Sequence, residues 1–151
     1  KALVSEGKLK RTDIFLLEPE TFMNNSGKSV APLVKSKKAA EQMVVIHDDL
    51  DLPLGKMKIS FNRGSGGHKG VESIKRAVKT EAFVRVRIGV SPATPGGKTK
   101  KPHGDKSIND FIVSSFKISE LDELKRVSKK ISDGLLVLIS EGREKAMSQF
   151  N

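Results

Sequence analysis

The chain has 151 residues, 36% hydrophobic and 30% charged, enough for one globular domain with a core and too apolar for a disordered one. No apolar run approaches the ~20 residues of a membrane span, no signal-peptide pattern opens the chain, and the lack of cysteine excludes disulfide and thiolate chemistry, in keeping with a reducing cytosol. A formal net charge of +10 (pI ≈ 9.9) favours a polyanionic partner such as nucleic acid over a merely solvated lysine-rich surface, and with no Trp, no Tyr and seven Phe the expected mode is phosphate contact rather than base stacking.

Ala2, Leu3 and Val4 predict a strand leading into a Gly-containing turn before Lys10, and Thr12 to Leu17 predict a second strand, so the pair reads as a hairpin. No earlier strand precedes it, and residue 1 is expected to begin inside a fold. Pro19 ends the second strand. Asn24, Asn25 and Ser26 suit the N-cap of a helix suggested by Val30, Leu33 and Val34, with Pro32 acceptable only near its first turn. On spacing alone Asn24 reads as such a cap. Lys35 to Gln42 reads as a basic helix end and connector.

Met43 to Asp48 is an aliphatic run closing on His47, Asp48, Asp49 and Asp51, which predicts a buried strand with its polar residues at the C-terminal end. Ligands of open α/β sheets bind beyond that end, so Asp48 stands where a site is expected. Asp49 and Asp51 also read as plain turn and surface residues ahead of Pro53-Leu54-Gly55. A metal site built on His47 and these acids is a further reading, but no second cluster completes it. A nucleotide-hydrolysing enzyme would need a glycine loop ending Gly-Lys-Ser/Thr, usually earlier in the chain, and the loop here comes later and ends His-Lys-Gly-Val.

Lys56 to Phe61 alternates basic and apolar residues, a half-exposed strand with a cationic face. The turn Arg63-Gly64-Ser65-Gly66-Gly67-His68-Lys69-Gly70 feeds a helix over Val71 to Lys79 and is expected to offer backbone N–H groups to an anion. Lys69 stands at the positive end of the helix dipole, where it is either solvated or placed to meet an anion. His68 is ambiguous between a structural and a functional residue. Val84, Val86, Ile88 and Val90 alternate with Arg85 and Arg87, a strand with an arginine face. Ser91 to Lys106 is a basic loop containing His103, Ile108 to Val113 a short apolar segment. Ser119 is expected to cap a long helix whose stripe Leu121, Leu124, Val127, Ile131, Leu135, Leu138 and Ile139 is core. Gly142 separates it from a final short helix, Arg143 to Phe150. No internal repeat or domain boundary is visible.

Taken together, Thr21-Phe22-Met23-Asn24-Asn25-Ser26-Gly27, His47-Asp48-Asp49-Leu50-Asp51-Leu52-Pro53, Gly64-Ser65-Gly66-Gly67-His68-Lys69-Gly70, Arg85-Val86-Arg87-Ile88-Gly89 and Glu141-Gly142-Arg143-Glu144-Lys145-Ala146-Met147 resemble, in order and spacing, the bacterial-type peptidyl-tRNA hydrolases. The resemblance spans nearly the whole chain. It implies a single α/β domain over residues 1–151, a mixed twisted sheet flanked by helices on both faces. It implies no metal or organic cofactor, peptidyl-tRNA as substrate, no membrane, a monomer, and a cytoplasmic location. It makes Asp48 the carboxylate that orients a general-base histidine, and Asn24 and Phe22 contacts to the tRNA end. It places Arg63, Gly66, His68, Lys69 and Arg87 at substrate or tRNA, Arg87 on phosphate. The family's opening strand and helix, with the catalytic histidine and another active-site asparagine, are expected ahead of residue 1, and His47, His68 and His103 do not fill that position by motif. Lys69 stands where the family usually has asparagine, and an ammonium donates but cannot accept. Two alternatives are a non-catalytic tRNA- or rRNA-binding relative using Lys56, Lys58, Arg63, Lys69 and Arg87, and a metal-dependent phosphoesterase using His47, Asp48, Asp49 and Asp51.

Overall fold

The computed structural model describes residues 1–151, Asp105 by its backbone alone. The chain is α/β, and its contacts gather into two compact units: residues 1–45 with 60–85, and residues 46–59 with 86–151.

The first unit opens with a hairpin of β1 (Ala2–Leu9) and β2 (Thr12–Pro19), antiparallel in the register Ala2↔Pro19 to Leu9↔Thr12. The expected glycine turn is corrected. Gly7 lies mid-strand opposite Ile14, and the turn is Lys10-Arg11, where Lys10 takes the positive φ (54°) that a two-residue hairpin loop demands. A 3-10 turn (Met23–Asn25) then leads into α1 (Ser26–Val30). The helix stops short of Pro32, whose ring would clash with the preceding turn and which has no N–H to donate. Leu33 and Val34 therefore fall outside it, against expectation. A second short helix, α2 (Lys37–Glu41), occupies the expected connector, capped by Ser36 Oγ accepting from Ala39 N–H at 3.1 Å. At five residues it is too short to show periodicity.

The helix predicted after the glycine turn is α3 (Lys69–Val78), closed by Lys79 in the left-handed conformation. Its buried face, Val71 and Ile74, meets Val30 and Phe83, and Leu17, Val34, Met43, Val45 and Val78 pack around them. Gly27 lets α1 lie on α3. A Cβ there would sit 2.2 Å from the Ser73 carbonyl oxygen, and Gly27 N–H donates to Ser73 Oγ at 3.0 Å.

The larger sheet has three strands in the order β3 (Val44–Pro53), β5 (Val84–Ser91), β4 (Met57–Phe61), and β1 and β2 form a two-stranded sheet of their own. This order overturns two expectations. Among the described residues β3 is an edge strand and only half-covered: Ile46 is 49% exposed, and the strand runs on to Pro53, so that Asp49 and Asp51 lie inside it together with His47 and Asp48. As the central strand β5 is covered on both faces, and Arg85 is buried together with Val84 and Val86 instead of facing solvent. In β4, Lys58 is exposed between buried Met57 and Ile59, as the alternation predicts.

In the second unit, α4 (Asp105–Ile112), α5 (Ile118–Glu141) and α6 (Arg143–Phe150) follow the basic loop. Ser119 is not the cap of α5. Lys117 holds that position, and its N–H donates to the Glu120 carboxylate at 2.7 Å. The apolar stripe of α5 is half-buried, with Val127 at its centre, and Leu121 is 43% exposed. Gly134 allows close packing, since a Cβ there would lie 3.0 Å from Met57 Cε. Asn151 closes this unit. Its amide accepts from Ile59 N–H (2.7 Å) and donates to Ile59 O (2.9 Å), as a neighbouring strand would.

Candidate active site

In the first unit the site is built on a close approach. Gly70 is buried in the first turn of α3, and a Cβ there would lie 2.5 Å from Met23 Sδ, the movable end of a side chain. Ser26 Oγ donates to Met23 O at 2.9 Å and holds the 3-10 turn closed. Phe22 (85% exposed), Met23 (56% exposed) and Asn24 all lie on the surface beside the start of α3. Asn24 is not the helix cap that its spacing predicts. It lies inside the 3-10 turn, and Asn25, at the N-cap position of α1, makes no side-chain capping bond. Next to it opens a groove of about 440 Å³ lined by Glu20, Thr21, Phe22, Asn25 and Lys28.

The glycine turn carries successive positive φ values at Gly66 (62°) and Gly67 (84°), which L side chains avoid. They bring His68 into the N-cap position of α3, where its Nδ1 accepts from Gly70 N–H (3.1 Å) and Val71 N–H (3.2 Å). The anion site expected from free N–H groups at this helix start is thereby corrected, because the ring already occupies two of them. Ser65 donates to the Glu72 carboxylate, which with Lys75 and Arg76 nearby holds Glu72 below its ordinary pKa of 4.5, against a smaller opposing effect of burial. An ionised acid in the first turn further discourages an anion among these amides. The exposed cations here are the side chains of Arg63 and Lys69.

In the second unit β3 presents its polar residues alternately, His47 and Asp49 on one face and Asp48 on the other. His47 is buried, and its Nδ1 lies 2.6 Å from the Asp48 carbonyl oxygen. A carbonyl only accepts, so Nδ1 carries the proton. Asp49 takes Arg87 Nε on Oδ2 at 2.6 Å and Asp51 N–H on Oδ1 at 2.8 Å. Asp51 in turn pairs with Lys101 of the basic loop, Oδ1 to Nζ 2.6 Å. Asp49 is therefore not a plain surface residue, and Arg87 is 23% exposed rather than the open cation of an arginine face. Among the described residues no three His, Asp or Glu side chains converge as metal ligands.

The model of the peptidyl-tRNA hydrolase family matches residues 1–151. The chain belongs to the peptidyl-tRNA hydrolase family. It is 36% identical over 151 residues to the peptidyl-tRNA hydrolase of Thermodesulfovibrio yellowstonii, covering 98% of this chain and 75% of that protein. To the enzyme of Citrifermentans bemidjiense it is 37% identical over 150 residues, covering 99% and 74%. The crystal structure of peptidyl-tRNA hydrolase from Acinetobacter baumannii superposes with a TM-score of 0.85 at 25% identity, over 99% of this chain and 72% of that one.

Within this peptidyl-tRNA hydrolase fold, the structure gathers Phe22, Asn24, Arg63, Gly66, His68 and Lys69 in the first unit, around the turn of Met23 and the start of α3. Asp48 and Arg87 belong to the second unit. The sequence offered Asp49 only as a turn residue or as a ligand in the metal-site alternative, because its partner Arg87 lies 38 residues away and no local pattern announces the pair. The one signal available was the shared position of both residues within family motifs.

Proposed function

We propose that this chain hydrolyses the ester that joins a peptide to tRNA in peptidyl-tRNA, releasing tRNA for reuse. The observation that carries the reading is the family match across all 151 residues. The chemistry asks for a positioned water, a base to take its proton, and donors for the oxyanion that forms at the ester carbonyl. We assign Asp48 to orient and favour the correct tautomer of the imidazole that acts as base, as a carboxylate behind a histidine does. Asn24, exposed and free of any capping role, offers an amide that both donates and accepts at the tRNA end. Phe22 presents its ring beside it. Arg63 and Lys69 supply phosphate contacts from the glycine turn that Gly66 shapes, and His68 holds that turn onto α3. Arg87 reaches phosphate through the guanidinium edge that Asp49 does not hold. The protein works as a monomer in the cytoplasm, where tRNA is found, and uses no metal or organic cofactor. The charge of +10 supports both RNA binding and repulsion between copies.

The test is turnover of a peptidyl-tRNA by the full-length protein and by its Asp48→Asn variant. The expected result is cleavage by the parent and a kcat lower by about 10²-fold in the variant, within the usual reach of acid–base assistance, with tRNA affinity retained. Binding of tRNA with no cleavage above the buffer rate would instead establish the non-catalytic relative.

A further inference from the structure

Asp48 lies on β3, an edge strand among the described residues, and the residues flanking it are both fixed. On one side His47 is 8% exposed and its Nδ1–H donates to the Asp48 carbonyl at 2.6 Å. On the other side both carboxylate oxygens of Asp49 are engaged, by Arg87 Nε at 2.6 Å and by Asp51 N–H at 2.8 Å. The Arg87 and Asp49 side chains are 23% and 12% exposed, so water and salt screen their pairing poorly, and a charge-assisted bond of this kind is about twice as strong as a neutral one. Because side chains alternate along a strand, fixing His47 and Asp49 on one face directs Asp48 to the other.

We propose that His47 and Asp49 are positioning residues that set the direction of the Asp48 carboxylate, with Arg87 acting through Asp49. The consequence for turnover rests on the hydrolase reading, whereas the consequence for geometry does not. The charges make the two roles of Arg87 separable. Asp49 offsets the charge of Arg87, so neutralising Asp49 releases a guanidinium for phosphate. A device that served tRNA binding alone would bind better without Asp49 and turn over unchanged. A positioning device would bind as well or better and turn over more slowly.

The experiment uses the full-length protein with Asp49→Asn, Asp49→Glu, Asp48→Asn and the 48/49 double variant. It measures kcat and KM on peptidyl-tRNA, the salt dependence of tRNA binding, and the Asp48 side-chain rotamer from three-bond NMR couplings. For Asp49→Asn the expected results are a kcat about 10-fold lower, an unchanged or lower KM, and a log K against log salt slope steeper by up to about one unit. Asp49→Glu restores part of the kcat, and in the Asp48→Asn background the Asp49 substitution costs little more. Asp48 occupies one rotamer in the parent and averages in Asp49→Asn. Parental kcat in Asp49→Asn, an undiminished further loss in the double variant, or an unchanged single rotamer would each overturn the proposal. If Asp49→Asn does not fold, His47 gives the same test. His47→Asn keeps a donor near the Nδ1 position and retains turnover, whereas His47→Phe keeps a ring and loses it, and equal turnover in the two overturns the idea. If the full-length parent does not cleave, the hydrolase reading fails, and the rotamer measurement still decides the positioning claim.

Discussion

His68 shows how one residue's neighbours change its meaning. Its glycine setting drew attention to it as a functional histidine, and the structure spends its Nδ1 lone pair on two backbone N–H groups at the start of α3. Cap geometry depends on the dihedrals of Gly66 and Gly67, which composition signals only as a turn. His68→Ala is expected to lower stability by about 1 kcal/mol, the usual worth of an N-cap, and His68→Asn to recover most of it, as read from urea unfolding midpoints. Equal midpoints for the two variants would show that the ring, not the acceptor, is what matters. Asn24 changed in the opposite direction, from expected cap to exposed amide, because the chain enters α1 through a 3-10 turn that sequence spacing cannot distinguish from a helix start.

Elements were legible where their periodicity was strong. The hairpin, α3, β4, β5 and the long α5 all lie where alternation or a three-to-four spacing put them. What alternation could not say is which strand is central. Apolar residues in β5 and β3 look alike in sequence, but β5 is covered on both faces and β3 on fewer, because pairing order is a long-range property. Backbone approach is another such property. Gly27 and Gly64 are indistinguishable as letters in a motif, yet a Cβ at Gly27 would meet backbone of α3 and one at Gly64 would meet nothing within 4 Å. Gly27→Ala is expected to lose about 1–3 kcal/mol through overpacking, and Gly64→Ala to stay within ~0.5 kcal/mol. Thermal melts of both variants would check this, and a Gly27→Ala melt matching the parent would mean α1 shifts freely on α3. The same substitution at Gly27 should also disturb the neighbouring 3-10 turn that presents Asn24.

At the scale of the whole molecule the charge of +10 sets the behaviour, since polyanion binding by lysine and arginine releases counterions. Affinity for tRNA should fall steeply as salt rises. Replacing Lys69 or Arg63 by Gln should flatten the log–log slope by about one unit each, as expected for the loss of a single phosphate contact. A slope unmoved by either substitution would remove the glycine turn from the interface. Lys56 and Lys58 are likewise exposed and form the comparison set for the same titration.

Family, α/β class and the broad kind of partner were determined by sequence, because ordered motifs, hydrophobic period and net charge are all local or summed properties of the chain. The tertiary structure decided which strand lies at an edge and which polar residues are employed. It turned Asp49 from a turn residue into the partner of Arg87 and placed His47 on the Asp48 carbonyl. It also closed two of the backbone donors at the start of α3 with His68. The Asp49–Arg87 pair arises only when β3 and β5 lie side by side, 38 residues apart in the chain, and the roles of His47 and His68 depend on the backbone each ring meets.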